Sequence, residues 1–230
     1  MADTALVVLH RNADWLAVEK PSGTPTTAPE RARVVSLVDR VRREIVRDDT
    51  VQPHPLSRLD VDVTGVVLFA LTARARQLAV EARAGGTYAR RYVGLVAHAP
   101  EPPEGVWTWT IGVDPRDRTL RVADGGRDPV PALTRYRVIE RAGDLAMVQF
   151  DLETGRTHQI RVHAAHSGCP VLGDRTYGGP RHVTLPDGTV CTARRVMLHA
   201  RAVRIPKSDR WIEAPFPPDW VNFWRAVGGV

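Results

Sequence analysis

Six consecutive apolar residues, Val66-Val67-Leu68-Phe69-Ala70-Leu71, follow directly on Gly65, with no polar side chain among them. A run so short and so uniformly apolar, launched from a Gly turn, predicts a buried strand. Immediately ahead of it stands Ser57-Arg58-Leu59-Asp60-Val61-Asp62-Val63-Thr64. Asp60 is thus set between a basic residue and the turn into a core strand, a placement that suits a catalytic carboxylate. An arbitrary Asp is more often a capping or surface group. A second polar cluster, Gly155-Arg156-Thr157-His158-Gln159-Ile160-Arg161-Val162-His163, is the segment expected to meet it.

The rest of the chain reads as short strands and a few helices. Ala5 to His10 and Trp15 to Glu19 predict an antiparallel pair joined by Arg11-Asn12-Ala13-Asp14. Between 31 and 48, Val34, Leu37, Val38, Val41 and Ile45 recur at helical spacing and predict an amphipathic helix. A further helix is expected over Ala73 to Ala84, stopped by Gly85-Gly86, and a strand over Tyr92 to Val96. The stretch 106–150 predicts mainly sheet, with strands at Trp107 to Ile111, Thr119 to Val122, Leu133 to Ile139 and Leu145 to Phe150. Gln159 to Ala165 predicts a short helix with its polar face toward a cleft, Gly178 to Thr192 an exposed loop, Val196 to Ile205 a strand and Asp219 to Val227 a closing helix.

At 230 residues the chain can bury one substantial core, and no repeat or linker divides it. The net charge of +6 and a pI near 10 suit a polyanionic partner, although an Arg-rich composition alone produces the same numbers, so the motifs must decide. Cys169 and Cys191 form neither a disulfide framework nor a four-ligand zinc pattern, which points to a reducing cytoplasm. There is no signal-peptide pattern and no apolar stretch of membrane-spanning length.

Ser57-Arg58-Leu59-Asp60, with Thr64 and Gly65 behind it, resembles the His-Arg-Leu-Asp-x-x-Thr-Ser-Gly motif of RluA-type RNA pseudouridine synthases. Gly155 to His163, continuing through Gly168, Pro170, Leu172-Gly173-Asp174 and Tyr177-Gly178, resembles that family's third motif almost residue for residue. Glu19-Lys20-Pro21-Ser22-Gly23-Thr24-Pro25, Arg90-Arg91-Tyr92, Leu198-His199-Ala200 and Ala214-Pro215-x-Pro217 extend the likeness over nearly the whole chain. Two departures stand out: Ser57 occupies the usual His position, and Val61-Asp62-Val63-Thr64 replaces a more polar stretch.

The resemblance implies an α+β fold, a mixed and largely antiparallel sheet flanked by helices and loops, with a basic cleft across its middle. A single catalytic domain over residues 1–230 is expected; related enzymes often carry an appended N-terminal RNA-binding domain, but here the synthase-like hairpin begins almost at the start, so none is expected, with a cytoplasmic monomer as the default. The resemblance also implies isomerisation of uridine in ribosomal or transfer RNA, without cofactor or metal. The N1–C1′ bond breaks, the uracil turns, and C5 joins C1′. A carboxylate can attack C1′ or take a sugar proton to give a glycal, and the sequence leaves both routes open. The nucleotide must first be flipped out, at a cost on the order of a few kcal/mol. By this resemblance Asp60 is the catalytic carboxylate, Tyr92 stacks on the flipped base and helps remove the C5 proton, and Arg161 pairs with Asp60 and keeps it ionised. Tyr88 is the competing tyrosine, but only Tyr92 has a basic residue two positions before it. Arg58, Arg156, His158, Lys20 and Leu198 are expected to organise the site or contact RNA. Arg74, Arg76, Arg83, Arg90, Arg91, Arg175, Arg181, Arg194 and Arg195 would supply phosphate contacts.

Two other functions compete with this one. A non-catalytic RNA-binding or RNA-folding factor could use the same scaffold, but retention of Asp60, Tyr92 and Arg161 opposes it. A metal-dependent hydrolase using His158, His163 and His166 is disfavoured, because His158 and His163 are five apart and no Glu lies between them in a zincin arrangement.

Overall fold

The computed structural model describes residues 5–28, 34–48 and 50–229. The described chain opens with β1 (Val8–Arg11) and β2 (Trp15–Lys20), then a short helix, α1 (Leu37–Arg40), which runs on as a π-helical stretch, Val41–Val46. Next come β3 (His54–Pro55), β4 (Thr64–Ala70), α2 (Ala73–Ala84) and β5 (Arg90–Val96). A strand-rich region follows: β6 (Glu104–Trp107), β7 (Ile111–Val113), β8 (Arg121–Ala123), β9 (Arg127–Val130), β10 (Thr134–Ala142) and β11 (Leu145–Leu152). Then come α3 (Gln159–His166), a 3-10 turn at Arg175–Tyr177, β12 (His182–Thr184), β13 (Val190–Thr192), β14 (Leu198–Arg204), β15 (Trp211–Glu213) and α4 (Pro218–Ala226). The fold is mixed α+β with largely antiparallel pairing, as the sequence predicts.

The chain forms two compact units, one of Met1–Arg90 with Ala200–Pro215, the other of Arg91–His199 with Phe216–Val230. In the first, the strand order is β1-β2-β4, with β14 beyond β4 and β15 paired to β14. β4 is buried at every residue, as its unbroken apolar sequence demands. Its first turn holds Gly65 at φ +119, and a Cβ there would lie 2.3 Å from the Ala200 carbonyl oxygen, so the backbones of β4 and β14 meet where only Gly fits. α2 covers this sheet with Ala75, Ala79 and Ala82, joining an apolar cluster of Trp15, Leu56, Leu68 and Tyr88.

In the second unit, β5, β11, β10 and β6 pair in that order. A smaller sheet has β7 between β8 and β9. α3 lies beside β8 and β10, with Gln159 through Ala164 buried.

Several local expectations are corrected. The helix expected over 31–48 starts only at Leu37, capped by Ser36; Val34 is 54% exposed, while Leu37 and Val41 form the buried side. Residues 31–33 lie outside the described residues. The first strand begins at Val8 rather than Ala5. The single strand expected at Trp107 to Ile111 is two, β6 and β7, because the Trp109 carbonyl accepts a bond from His163 Nε2 (3.0 Å) where the chain passes from one sheet to the other. Thr119 and Leu120 belong to a turn on Asp117, so that strand begins at Arg121. The loop expected over Gly178 to Thr192 contains the β12–β13 hairpin. β9 and β15 have no counterpart in the sequence reading.

Candidate active site

The Asp60 loop is fixed by the loop that follows β2. Lys20, 0% exposed, donates from Nζ to the carbonyls of Pro21 (2.9 Å), Thr24 (2.7 Å) and Val61 (2.9 Å). The Gly23 amide also donates to Val61 O (2.9 Å), and Ser22 Oγ donates to Asp62 O (3.2 Å). Buried Thr26 closes the other side, its Oγ1 donating to Leu59 O and accepting from Leu59 N–H, each at 2.9 Å. A charge taken so far out of water must be satisfied by strong acceptors, and here these are backbone carbonyls on both loops. Leu59 and Val63 sink into the core, the Val63 amide bonds Asp60 O (3.1 Å), and Asp60 between them stays half-buried. The sealed Lys20 ammonium thus ties the loop after β2 to the Asp60 loop. Arg58 is exposed.

Arg161 lies on the buried side of α3 in the second unit. Its Nε and Nη2 donate to Asp174 Oδ2 (2.7 Å) and Oδ1 (2.8 Å), a bidentate pair with side-chain exposures of 8% and 1%. The guanidinium also stands 5.0 Å from the centre of the Tyr177 ring. The Tyr177 hydroxyl meets His158 Nδ1 at 2.7 Å and accepts from the Arg121 amide (3.1 Å). Asp174 and Tyr177 belong to the third motif, but the sequence reading gave neither a role; Asp174 turns out to lock the Arg161 fork in one orientation.

His158 takes a left-handed conformation (φ +58) at the start of α3, and Gln159 stabilises the approach to it. Gln159 Oε1 accepts from the Arg156 amide and the Thr154 hydroxyl, while Nε2 donates to Leu133 O and Thr134 Oγ1. Arg156 is exposed, with Nε on Pro131 O (3.0 Å). His163 is committed on both sides: a carbonyl can only accept, so Nε2 carries the proton toward Trp109 O, and Nδ1 accepts from Thr134 Oγ1. Burial and then neighbouring His166 pull its pKa down, opposed by the Trp109 bond. Among the described residues no group of three His, Cys, Asp or Glu side chains could hold a metal ion.

Tyr92, buried in β5, pairs across the sheet with Phe150 of β11. Leu198 packs near Gly94 on the same strand. Tyr88 instead lies in the apolar cluster of the first unit, with Arg90 at 5.0 Å and Arg83 at 5.7 Å from its ring centre. Burial pushes its phenol pKa up. Asp60 therefore belongs to the first unit, and Tyr92, His158, Arg161 and Leu198 to the second.

A loop held by buried Lys20 and a third-motif helix whose Arg161 is held by Asp174 are the features to set beside known proteins. The family described as RNA pseudouridylate synthase matches residues 14–166, and the chain belongs to it. An uncharacterized RNA pseudouridine synthase of Chloroflexus aurantiacus is 35% identical over 87% of this chain; this chain spans 62% of that relative's length. The ribosomal large subunit pseudouridine synthase D of Xanthomonas campestris is 34% identical, covering 98% of this chain and 70% of the relative. The solved structure of human RNA pseudouridylate synthase domain containing 4 has the same fold, with a TM-score of 0.75 at 21% identity, covering 96% of this chain and 92% of the other.

Proposed function

We propose that this chain isomerises specific uridines in structured RNA to pseudouridine, with Asp60 as the carboxylate that acts at C1′. The observation that carries the reading is the bracing of the Asp60 loop: Lys20, Gly23, Ser22 and Thr26 fix the backbone on both sides of a carboxylate that itself stays half-open. Holding a reacting group while leaving it accessible is what catalysis by a positioned carboxylate requires.

Within this reading Tyr92 stacks on the flipped uracil, and Arg161, oriented by Asp174, supplies positive charge for the reacting carboxylate. Arg58 and Arg156, both exposed, contact the RNA, while His158, Lys20 and Leu198 shape the site. The reaction needs no redox change and no external energy, so the residues suffice without metal or cofactor. The relative named for the ribosomal large subunit favours ribosomal RNA as substrate over transfer RNA. The work would be done by a monomer in the cytoplasm.

The test is a map of pseudouridine in total cellular RNA, by carbodiimide treatment and primer extension, from cells carrying the intact gene, a deletion and Asp60→Asn. One or a few sites vanish in both mutants and return only with the intact gene, while purified Asp60→Asn still binds RNA. Survival of every site in the Asp60→Asn strain would overturn the assignment.

A further inference from the structure

The first unit carries a chain of cations that the chemistry above does not use. Arg42 Nη2 donates to Gln52 Oε1, and Arg76 Nη2 donates to the backbone carbonyl of the same Gln52 (2.9 Å), so one neutral residue draws two guanidiniums together. Arg76 and Arg83 both face exposed His54, whose pKa is lowered first by partial desolvation and then by these two charges. Arg83 and Arg90 in turn stand over the Tyr88 ring. Arg204 joins the end of the row through Thr87 O (3.0 Å).

Carboxylates do not balance most of this row. Among the described residues, Arg42, Arg76, Arg83 and Arg204 have no ion pair. Asp39, beside Arg42, is committed to Ser36. α2 carries Arg74, Arg76 and Arg83 against the single Glu81, which lies 4.0 Å from Lys207. Gathering like charges without counter-charges costs energy that a bound polyanion would recover. Anchoring one edge of the Arg42, Arg76 and Arg83 guanidiniums on a carbonyl or an aromatic face leaves their other donors pre-oriented, so less freedom is lost on meeting a phosphate. The row ends at Tyr88 and Arg90, and His54 and Ser57 lie on the stretch that leads directly into Asp60.

We propose that the row Arg42–Gln52–Arg76–Arg83–Tyr88–Arg90 is a track for the phosphate backbone of one RNA strand flanking the target uridine. The identity of the polyanion rests on the isomerase reading above; the track itself rests on the side-chain geometry.

The experiment measures binding of a fluorescein-labelled RNA stem–loop by anisotropy across about 50 to 200 mM salt, with the Asp60→Asn protein as parent so that no turnover intervenes. Two double variants are compared in that background: Arg76→Gln with Arg83→Gln, and, as control, Arg135→Gln with Arg141→Gln, whose exposed guanidiniums are paired to Glu153 and Glu101. The track variant is expected to lower the slope of log K against log salt by about 1.5, and the control to leave it unchanged. All the substituted side chains are exposed, and matching melting curves establish that the fold is kept. An unchanged slope in the track variant, or an equal fall in the control, overturns the track while leaving the chemistry at Asp60 standing. Failure of the parent to bind the RNA at all removes both.

Discussion

Lys20 shows how a single residue can decide whether a site exists. Its ammonium has no access to water and holds carbonyls on two loops, so Lys20→Met strands those carbonyls in the core. We expect a loss of about 3 kcal/mol, read as a lower urea midpoint with unchanged slope, and a larger fall in kcat than in substrate affinity. Asp174→Asn removes the carboxylate of a buried bidentate pair; unfolding experiments should show about 3–5 kcal/mol lost, with Asp174→Glu recovering only part. His163 gives a pH dependence. Its folded pKa lies below the ordinary 6.5, so the unfolded chain binds the proton more readily, and stability present above that value is lost as the pH falls through it. The melting temperature should therefore drop below about pH 6.5, and His163→Gln should flatten that part of the curve.

At the level of elements, legibility followed from how local the cause was. β4 and α2 were readable because an apolar run and a Gly-Gly stop are contiguous signals, and α2 occupies the predicted residues. The β12–β13 hairpin was hidden by its own composition. Pro186-Asp187-Gly188 reads as loop, yet Gly188 at φ +84 and the Thr189 amide on Asp187 make it a hairpin turn, a signal present in the sequence and undervalued. The break at Trp109 could not be read at all, because it depends on His163, 54 residues away. The same holds within the site. The motifs nominate Asp60, Tyr92 and Arg161 as candidates, but Thr26 clamping Leu59 and Asp174 gripping Arg161 are non-local pairings with no periodicity to betray them. Gly65→Ala tests the closest of the non-local approaches. With a Cβ forced into the Ala200 backbone, the protein should lose its cooperative thermal transition by circular dichroism.

For the molecule as a whole, neither unit is continuous in sequence: the first takes its last strands from Ala200–Pro215, and the second takes its last helix from Phe216–Val230. A fragment ending at His199 therefore lacks most of β14 and all of β15, and should show no cooperative unfolding, whereas removal of Gly228 and Gly229 with the terminal Val should leave the transition in place. The same interleaving sets a timetable during synthesis. β4 emerges early, apolar along its whole length, but its neighbour β14 follows only after Arg91–His199 has been made. At about 5–20 residues per second that is a wait of roughly 5–20 s in which β3 covers only the Phe69–Ala70 end of that apolar edge on a nascent chain, long enough for a holding chaperone to act.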